Sequence, residues 1–465
     1  MSILLSATPP ADDNAIKKLI EKATNSEMKI QWVSANSYND KLNVSLASGD
    51  IPDIIYIPPE LMQTTFRTAV QQGVFWDVTN YIKDYPNLTS KISKTAWDLS
   101  KMDDGKNYSI PRPRPSEADA FYVIRKDWLD NLGLKVPTTM DEFYNVLKAF
   151  TEKDPDKNGK QDTIGLSANV TPPDKMEGLG QVEYAFAGAN GPWKFVDNKL
   201  AYTSFLPEEH KALEYLANLY KEKLIPEDFA SMKASQVKDM VKAGKAGVVW
   251  EKAGSVTEYV NELKKINPNI KESDFIPLTN LNGYNPKGPG FAGVLAIPKT
   301  VDEVKMKRIL KMIDTWMNDD VFNIQQYGVE GVDHTVKDGV KVVDAKKLSE
   351  DGGPDFNQIV YVADPYASSV KNYFPKDVQD TYRQIQDERA KTSSADISFG
   401  LYSATAQQFM PEFQKKIQDE KIKVIMGRES LAAWDEFVAK MKADPSFAKV
   451  SQELTDAYKK RAGAN

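Results

Sequence analysis

Asp154-Pro-Asp-Lys-Asn-Gly-Lys-Gln-Asp162 sets oxygen-bearing groups at alternate positions. Asp154, Asp156 and Asn158 offer side-chain oxygens, Lys160 its carbonyl and Asp162 a further carboxylate, and Gly159 permits a sharp turn. This is the spacing of the first nine positions of an EF-hand loop, because calcium takes several hard oxygen ligands in flexible geometry. At position twelve, where such a loop carries a bidentate glutamate, the chain has Gly165, so one ligand must come from elsewhere. No second helix is expected directly after the loop, which points to a structural ion rather than a switch. A solvated acidic loop capping the preceding helix is the plainer alternative. Other chemistry has little material. The chain has only 2 histidines, well separated in sequence, which leaves a zinc centre or a Ser-His-Asp triad little material. His334 is expected to be a hydrogen-bonded structural residue and His210 to lie at the surface. No nucleophile elbow, Walker loop or dinucleotide fingerprint is present, and Gly178-Leu-Gly180 lacks the required continuation.

A sugar ring requires flat aromatic faces for its C–H side and planar hydrogen-bonding groups for its hydroxyls, a few polar groups orienting an otherwise apolar contact. Trp193 closes the turn-rich stretch Gly188-Ala-Asn-Gly-Pro-Trp193, with no obvious core to join. Trp250 ends an apolar run and is followed by Glu251 and Lys252-Ala-Gly-Ser255. Trp128, Trp316 and Trp434 fall on helical stripes and are expected in the core. Arg112 and Arg114 stand in Tyr108-Ser-Ile-Pro-Arg-Pro-Arg-Pro-Ser116, with Asp119 just beyond. Guanidinium groups there would fork to paired hydroxyls or to a uronate carboxylate, or bridge two lobes. Tyr284, Tyr366 and Tyr402, beside Gly, Pro or Ser, complete the candidate ligand set. For each ring the ordinary alternative is burial.

The elements that would position these residues alternate. Strands are expected over 2–7, 28–33 and 53–57, with helices over 12–24 and 38–48 between them. Such alternation means βαβ units and a parallel sheet covered by helices. Ligands of open α/β sheets sit outside the carboxyl ends of strands, which puts Tyr56 to Pro59 and the turn Thr8-Pro-Pro-Ala-Asp12 beside a crevice. The alternating prolines of 108–116 hold the backbone extended and suit a crossing between lobes. Further strands are expected over 120–125, 246–250 and 291–298. Helices are expected over 127–132, 140–150 (announced by the capping box Thr139 and Glu142), 208–223, 301–317, 377–390, 405–420 and 430–443. Pro411 should break or kink its helix.

At 465 residues the chain is too long for one core. A net charge of −6 argues against a nucleic-acid or anionic-membrane binder. There is no cysteine, which in an oxidising compartment avoids mispairing. No run approaches a membrane span, and the start at a first core strand suggests that an export signal and anchor once preceded it.

Several strings together resemble one family: LASGDIPDIIYI from Leu46, FYVIRKDWLDNLGLKVPTTMDEFYNVLKAF from Phe121, the acidic loop, YGVEGVDHT from Tyr327 and IMGRESLAAWDEFVAKMKA from Ile425. In this order they resemble the oligosaccharide-type solute-binding lipoproteins of ABC importers in Gram-positive bacteria, the LplA-like group, and more distantly the alginate-binding proteins. The resemblance implies an α/β, two-lobed periplasmic-binding-protein-like fold, each lobe a mainly parallel sheet flanked by helices, with the ligand cleft between. By it the first lobe takes 1–110 plus 291–331 and the second 111–290 plus 332–465. It implies an extracellular, membrane-anchored, monomeric binder that closes on an oligosaccharide, acidic if the arginines are its partners, and passes it to a permease. Calcium would be structural; the alginate-binding relatives place an acid just after the ninth loop position, where this chain has Thr163. The competing readings are a secreted carbohydrate-active enzyme, with Glu251 as the foremost of its 66 acids, and a binder of peptides or other polar solutes.

Overall fold

Strands Ser2–Leu4 and Trp32–Ser34 pair in parallel, Ser2 opposite Trp32, with helix Ala15–Thr24 between them in sequence. The computed structural model describes the chain except for residues 5–8, 118–119, 173, 338–339, 368, 372–373 and 463–465. The end of the expected first strand, Thr8 of the following turn, and Asp119 therefore lie outside the described residues. The chain divides into two units. The first takes Met1–Arg114, Pro289–Asp364 and the C-terminal residues from Lys460; the second takes Pro115–Gly288 and Pro365–Lys459.

In the first unit, Phe291–Ala296 runs antiparallel between Ile55–Ile57 and Ile110–Pro113. The proline-rich strand lies at the sheet edge, as residues without an N–H donor require. Residues 332–364 pack in this unit, where the resemblance assigned them to the second lobe. Gln325 explains the packing: its amide donates to Asn357 Oδ1 and to the Val360 carbonyl, each at 2.8 Å.

The second unit is built on a four-stranded sheet in the order Phe275–Pro277, Phe121–Arg125, Ala246–Glu251, Ile164–Ser167. Phe121–Arg125 is antiparallel to both neighbours, while Ile164–Ser167 and Ala246–Glu251 are parallel. Gly247 has no room for a side chain: a Cβ there would lie 2.2 Å from Phe150 Cδ2. Helix Met140–Glu152 begins with the expected capping box, in which Thr139 Oγ1 accepts from Glu142 N and Glu142 Oε2 from Thr139 N, both at 3.2 Å.

Pro411 does not break its helix, which runs unbroken from Ala404 to Ile425. The proline removes one intrahelical bond, and Met410, Phe413, Ile417 and Val424, buried in one core on both sides of it, keep the segment helical through it. Among the described residues no helix is long and apolar enough to cross a membrane.

Candidate functional site

Trp250 is the penultimate residue of Ala246–Glu251, at the carboxyl end of that strand and its parallel neighbour Ile164–Ser167, where ligands of such sheets collect. Its indole N–H donates to the Ala120 carbonyl at 3.1 Å, fixing the plane of a half-buried ring. Gly178 passes close by; a Cβ there would lie 3.0 Å from Trp250 Cβ. The Gly178 carbonyl in turn accepts from the Tyr122 hydroxyl at 2.6 Å, so the start of helix Glu177–Ala187 is tied to the sheet beside the indole.

A cavity of about 370 Å³ opens here. Helix Glu177–Ala187 lines it with Glu177, Gly180, Gln181, Glu183 and Tyr184, one face at helical spacing. Helix Ala404–Ile425 supplies Gln414, Ile417, Gln418 and Lys421 at the same period, and Thr203 and Ser204 add polar side chains. Gln418 Nε2 donates to the Thr171 and Lys175 carbonyls at 3.2 and 3.0 Å, which fixes the rim. Beneath the cavity Lys421 Nζ lies 2.8 Å from Glu183 Oε2 and 2.7 Å from Glu209 Oε1, all three side chains buried. The two carboxylates hold the Lys421 ammonium well above the usual lysine range. Burial, with the Glu183 charge beside it, pushes the Glu209 carboxyl up to about 7. Sequence reasoning missed this set; the i, i+3, i+4, i+7 spacing of 177, 180, 181 and 184 was its only signal.

The first unit has its own carboxyl edge, where Ile110–Pro113 ends in Arg114. The half-buried guanidinium lies over the Tyr361 ring, 4.2 Å from its centroid, and Nη1 donates to the Pro113 carbonyl at 2.8 Å. Burial lowers its pKa. A larger cavity of about 700 Å³ in this unit is lined by Met1, Ser2 and Pro52 to Ile54. Those residues open the strands Ser2–Leu4 and Ile55–Ile57, so it sits at their amino ends, away from the edge where ligands collect.

Other expected contact residues are engaged inside the units. Arg112 is 5% exposed: Nε donates to Ala292 O (3.0 Å), Nη1 to Gln358 O and Oε1 (2.8 and 2.9 Å), and Nη2 to the Tyr56 hydroxyl (3.1 Å). Burial lowers its pKa to about 10. Trp193, 4% exposed, stacks on Phe447 (5.8 Å between centroids, 9° between planes) and meets Tyr202 edge-on. It begins a hairpin with Lys199–Tyr202 whose turn is made by Asp197 and Asn198 at positive φ, so the expected loop is a strand with a core to join. Tyr284 is buried against Phe121 and Tyr184, its hydroxyl donating to Gln181 Oε1 at 3.1 Å. Glu251 accepts from Lys252 N (2.8 Å) and the Tyr259 hydroxyl (3.2 Å) and pairs with Lys238 at 2.6 Å. Tyr366 is half-buried, its hydroxyl donating to Asp387 Oδ1 at 2.7 Å. Tyr402 is half-buried just before the cap Ser403. Trp128, Trp316 and Trp434 are core residues. His334 Nδ1 is 2.9 Å from the Tyr327 carbonyl, and the partly exposed His210 Nδ1 is 3.0 Å from Asp435 Oδ1.

In the acidic loop Asp154 accepts from the backbone N–H groups of Asn158 and Gly159 at 3.0 and 2.8 Å, and Gly159 has φ +79°. The Asn158 amide nitrogen spans Asp156 Oδ2 (2.8 Å) and Asp162 Oδ1 (3.1 Å), and the Lys245 ammonium pairs with Asp162. The Lys160 backbone N–H donates to Asn158 Oδ1 at 2.8 Å. Burial and the neighbouring Asp154 push the Asp156 carboxyl up. Among the described residues no three His, Cys, Asp or Glu side chains converge as a ready metal shell. The donor set is all oxygen, which suits a hard cation, but Lys245 and the Asn158 amide group take up part of its charge.

Comparison with known proteins agrees with this architecture. Residues 7–314 match the family described as bacterial extracellular solute-binding protein. The chain is 32% identical over 467 residues to the polygalacturonan/rhamnogalacturonan-binding protein YtcQ of Bacillus subtilis, covering 99% of this chain and 90% of that one. It is 36% identical over 352 residues to lipoprotein LipO of the same organism, covering 73% and 68%. Among solved structures, an HMO-binding, ABC-transporter-associated solute-binding protein of Bifidobacterium longum infantis superposes with a TM-score of 0.75 at 19% identity, covering 98% and 97%. Alginate-binding protein AlgQ2, solved without calcium ion, gives 0.62 at 20% identity, covering 96% and 94%. With the family matched over most of its length and a full-length relative near one-third identity, the chain belongs to the bacterial extracellular solute-binding proteins, and its fold is their two-lobed α/β fold.

Proposed function

We propose that this protein is the binding component of a carbohydrate ABC importer, which captures an oligosaccharide and hands it unaltered to a membrane permease. The observation that carries this reading is Trp250. A half-buried indole at the carboxyl end of a strand, beside a cavity lined by amides and hydroxyls, offers a sugar ring both kinds of contact it needs. The carbohydrate ligands in the relatives' names support it. The two units serve as the lobes of that fold. Contacts made by both exist together only in a closed form, so ligand shifts the open–closed balance. The protein acts as a monomer outside the cell, held at the membrane by a lipid anchor, as the lipoprotein relative suggests. We read it as a binder rather than an enzyme, supported by the solute-binding family to which it belongs, and Glu251, the foremost candidate acid, is engaged by Lys238, Tyr259 and Lys252. The loop 154–162 holds a structural calcium, with Asp154, Asp156, Asn158, Asp162 and the Lys160 carbonyl as its ligands.

Calorimetric titration against neutral and uronic-acid oligosaccharides tests the reading, with small-angle scattering in parallel. Binding of one class together with a smaller radius of gyration is expected. Heat with peptides only, or product formed from a polysaccharide, would defeat it.

A further inference from the structure

Glu183 presents an unfinished hydrogen-bonding arrangement to the Trp250 cavity. Its side chain is 6% exposed, and Oε2 is held by Lys421 at 2.8 Å. Oε1 is buried and has no hydrogen-bond partner among the described residues. A buried carboxylate oxygen without a donor is costly, and Glu183 lines the cavity, so a donor brought by a ligand would complete it. A ligand carboxylate brings only acceptors. Among the described lining residues no spare buried cation is at hand, because Lys421 is already shared between Glu183 and Glu209. At the mouth Asp174 and Glu177 outnumber Lys175. Lining and floor together set four carboxyl groups against two ammonium groups.

Resting on the reading of this cavity as a sugar site, we propose that it is a subsite for an uncharged sugar residue. One ring hydroxyl donates to Glu183 Oε1 while the ring stacks on Trp250, and a uronate is excluded from this position. The relative named for polygalacturonan and rhamnogalacturonan makes the distinction concrete, since the first is a chain of uronates and the second also carries neutral residues.

The test pairs each neutral oligosaccharide of a panel with its uronate counterpart, including methyl-esterified and free-acid galacturonide oligomers of equal length, titrated at low ionic strength. A neutral member is expected to bind at least tenfold more tightly than its free-acid partner. Glu183→Gln should weaken the neutral ligand at least tenfold, and the rim variant D174N/E177Q should narrow the neutral-to-acid ratio. A free acid binding as tightly as its neutral partner overturns the proposal, as does a folded Glu183→Gln variant with unchanged affinity. If Glu183→Gln does not fold by circular dichroism, the rim variant decides, and an unchanged ratio overturns the proposal. Folded wild-type protein that binds no saccharide defeats the functional reading itself, which separates the two failures.

Discussion

Trp250 keeps part of its side chain uncovered, and Gly178 lets its helix pass close to the base of that side chain. Trp193, equally attractive by type, is sealed between Tyr202 and Phe447. The two therefore respond differently to truncation. Trp193→Ala should cost about 3–5 kcal/mol of stability, as large aromatic deletions from a core do. A denaturant titration checks this, and a loss of ligand affinity without loss of stability would refute the assignment. Trp250→Ala removes a half-buried ring, so it should cost less stability than Trp193→Ala while weakening ligand binding by more than about 1 kcal/mol, the loss expected of an aromatic anchor. Normal binding by a folded Trp250→Ala protein would remove the central observation. Arg112 carries the donors that a sugar or uronate would need, but its Nε and both terminal nitrogens bond inside the first unit.

At the level of elements, strands with a short apolar run and helices with a cap or stripe could be read directly. Thr139 with Glu142, and the closing of Ala246–Glu251 on Trp250, are two such cases. The hairpin at Trp193 could not, because its glycines and proline obscure an alternation only four residues long. The helix carrying Glu183 was hidden by two glycines near its start, and its pairing with Lys421 joins residues too distant in sequence for any local pattern. The acidic loop was legible as an oxygen cluster, whereas the pairing of Lys245 with Asp162 depends on the fold. If the loop holds calcium, the ion should raise the unfolding midpoint, by about 2.7 kcal/mol of stability at a hundredfold excess over Kd. Chelation should reverse this and Asp154→Ala should abolish it. A melt indifferent to millimolar calcium would leave only the solvated loop.

Over the molecule as a whole, Glu209 links folding to pH. Its carboxyl is moved from the ordinary 4.5 up to about 7, first by burial and then by Glu183, with Lys421 opposing. Between those two values the folded protein keeps a proton that the unfolded chain releases. The stability this group contributes is complete below the lower value and lost as pH rises through the upper one. Glu209→Gln stays neutral, so its stability relative to wild type should rise with pH across that window, by up to about 3 kcal/mol. Urea midpoints at pH 5 and pH 7.5 measure the difference, and a constant gap would show that Glu209 titrates normally.

The chain changes unit after Arg114, Gly288, Asp364 and Lys459, so each unit is assembled from separate stretches. A protease nick at one of these passages would therefore release no free half: at least one fragment would always contain portions of both units, and the pair would stay associated through the packing of a unit they share. Neither unit could be obtained by simply truncating the gene. Exchanging binding halves between relatives would demand splicing at every passage at once.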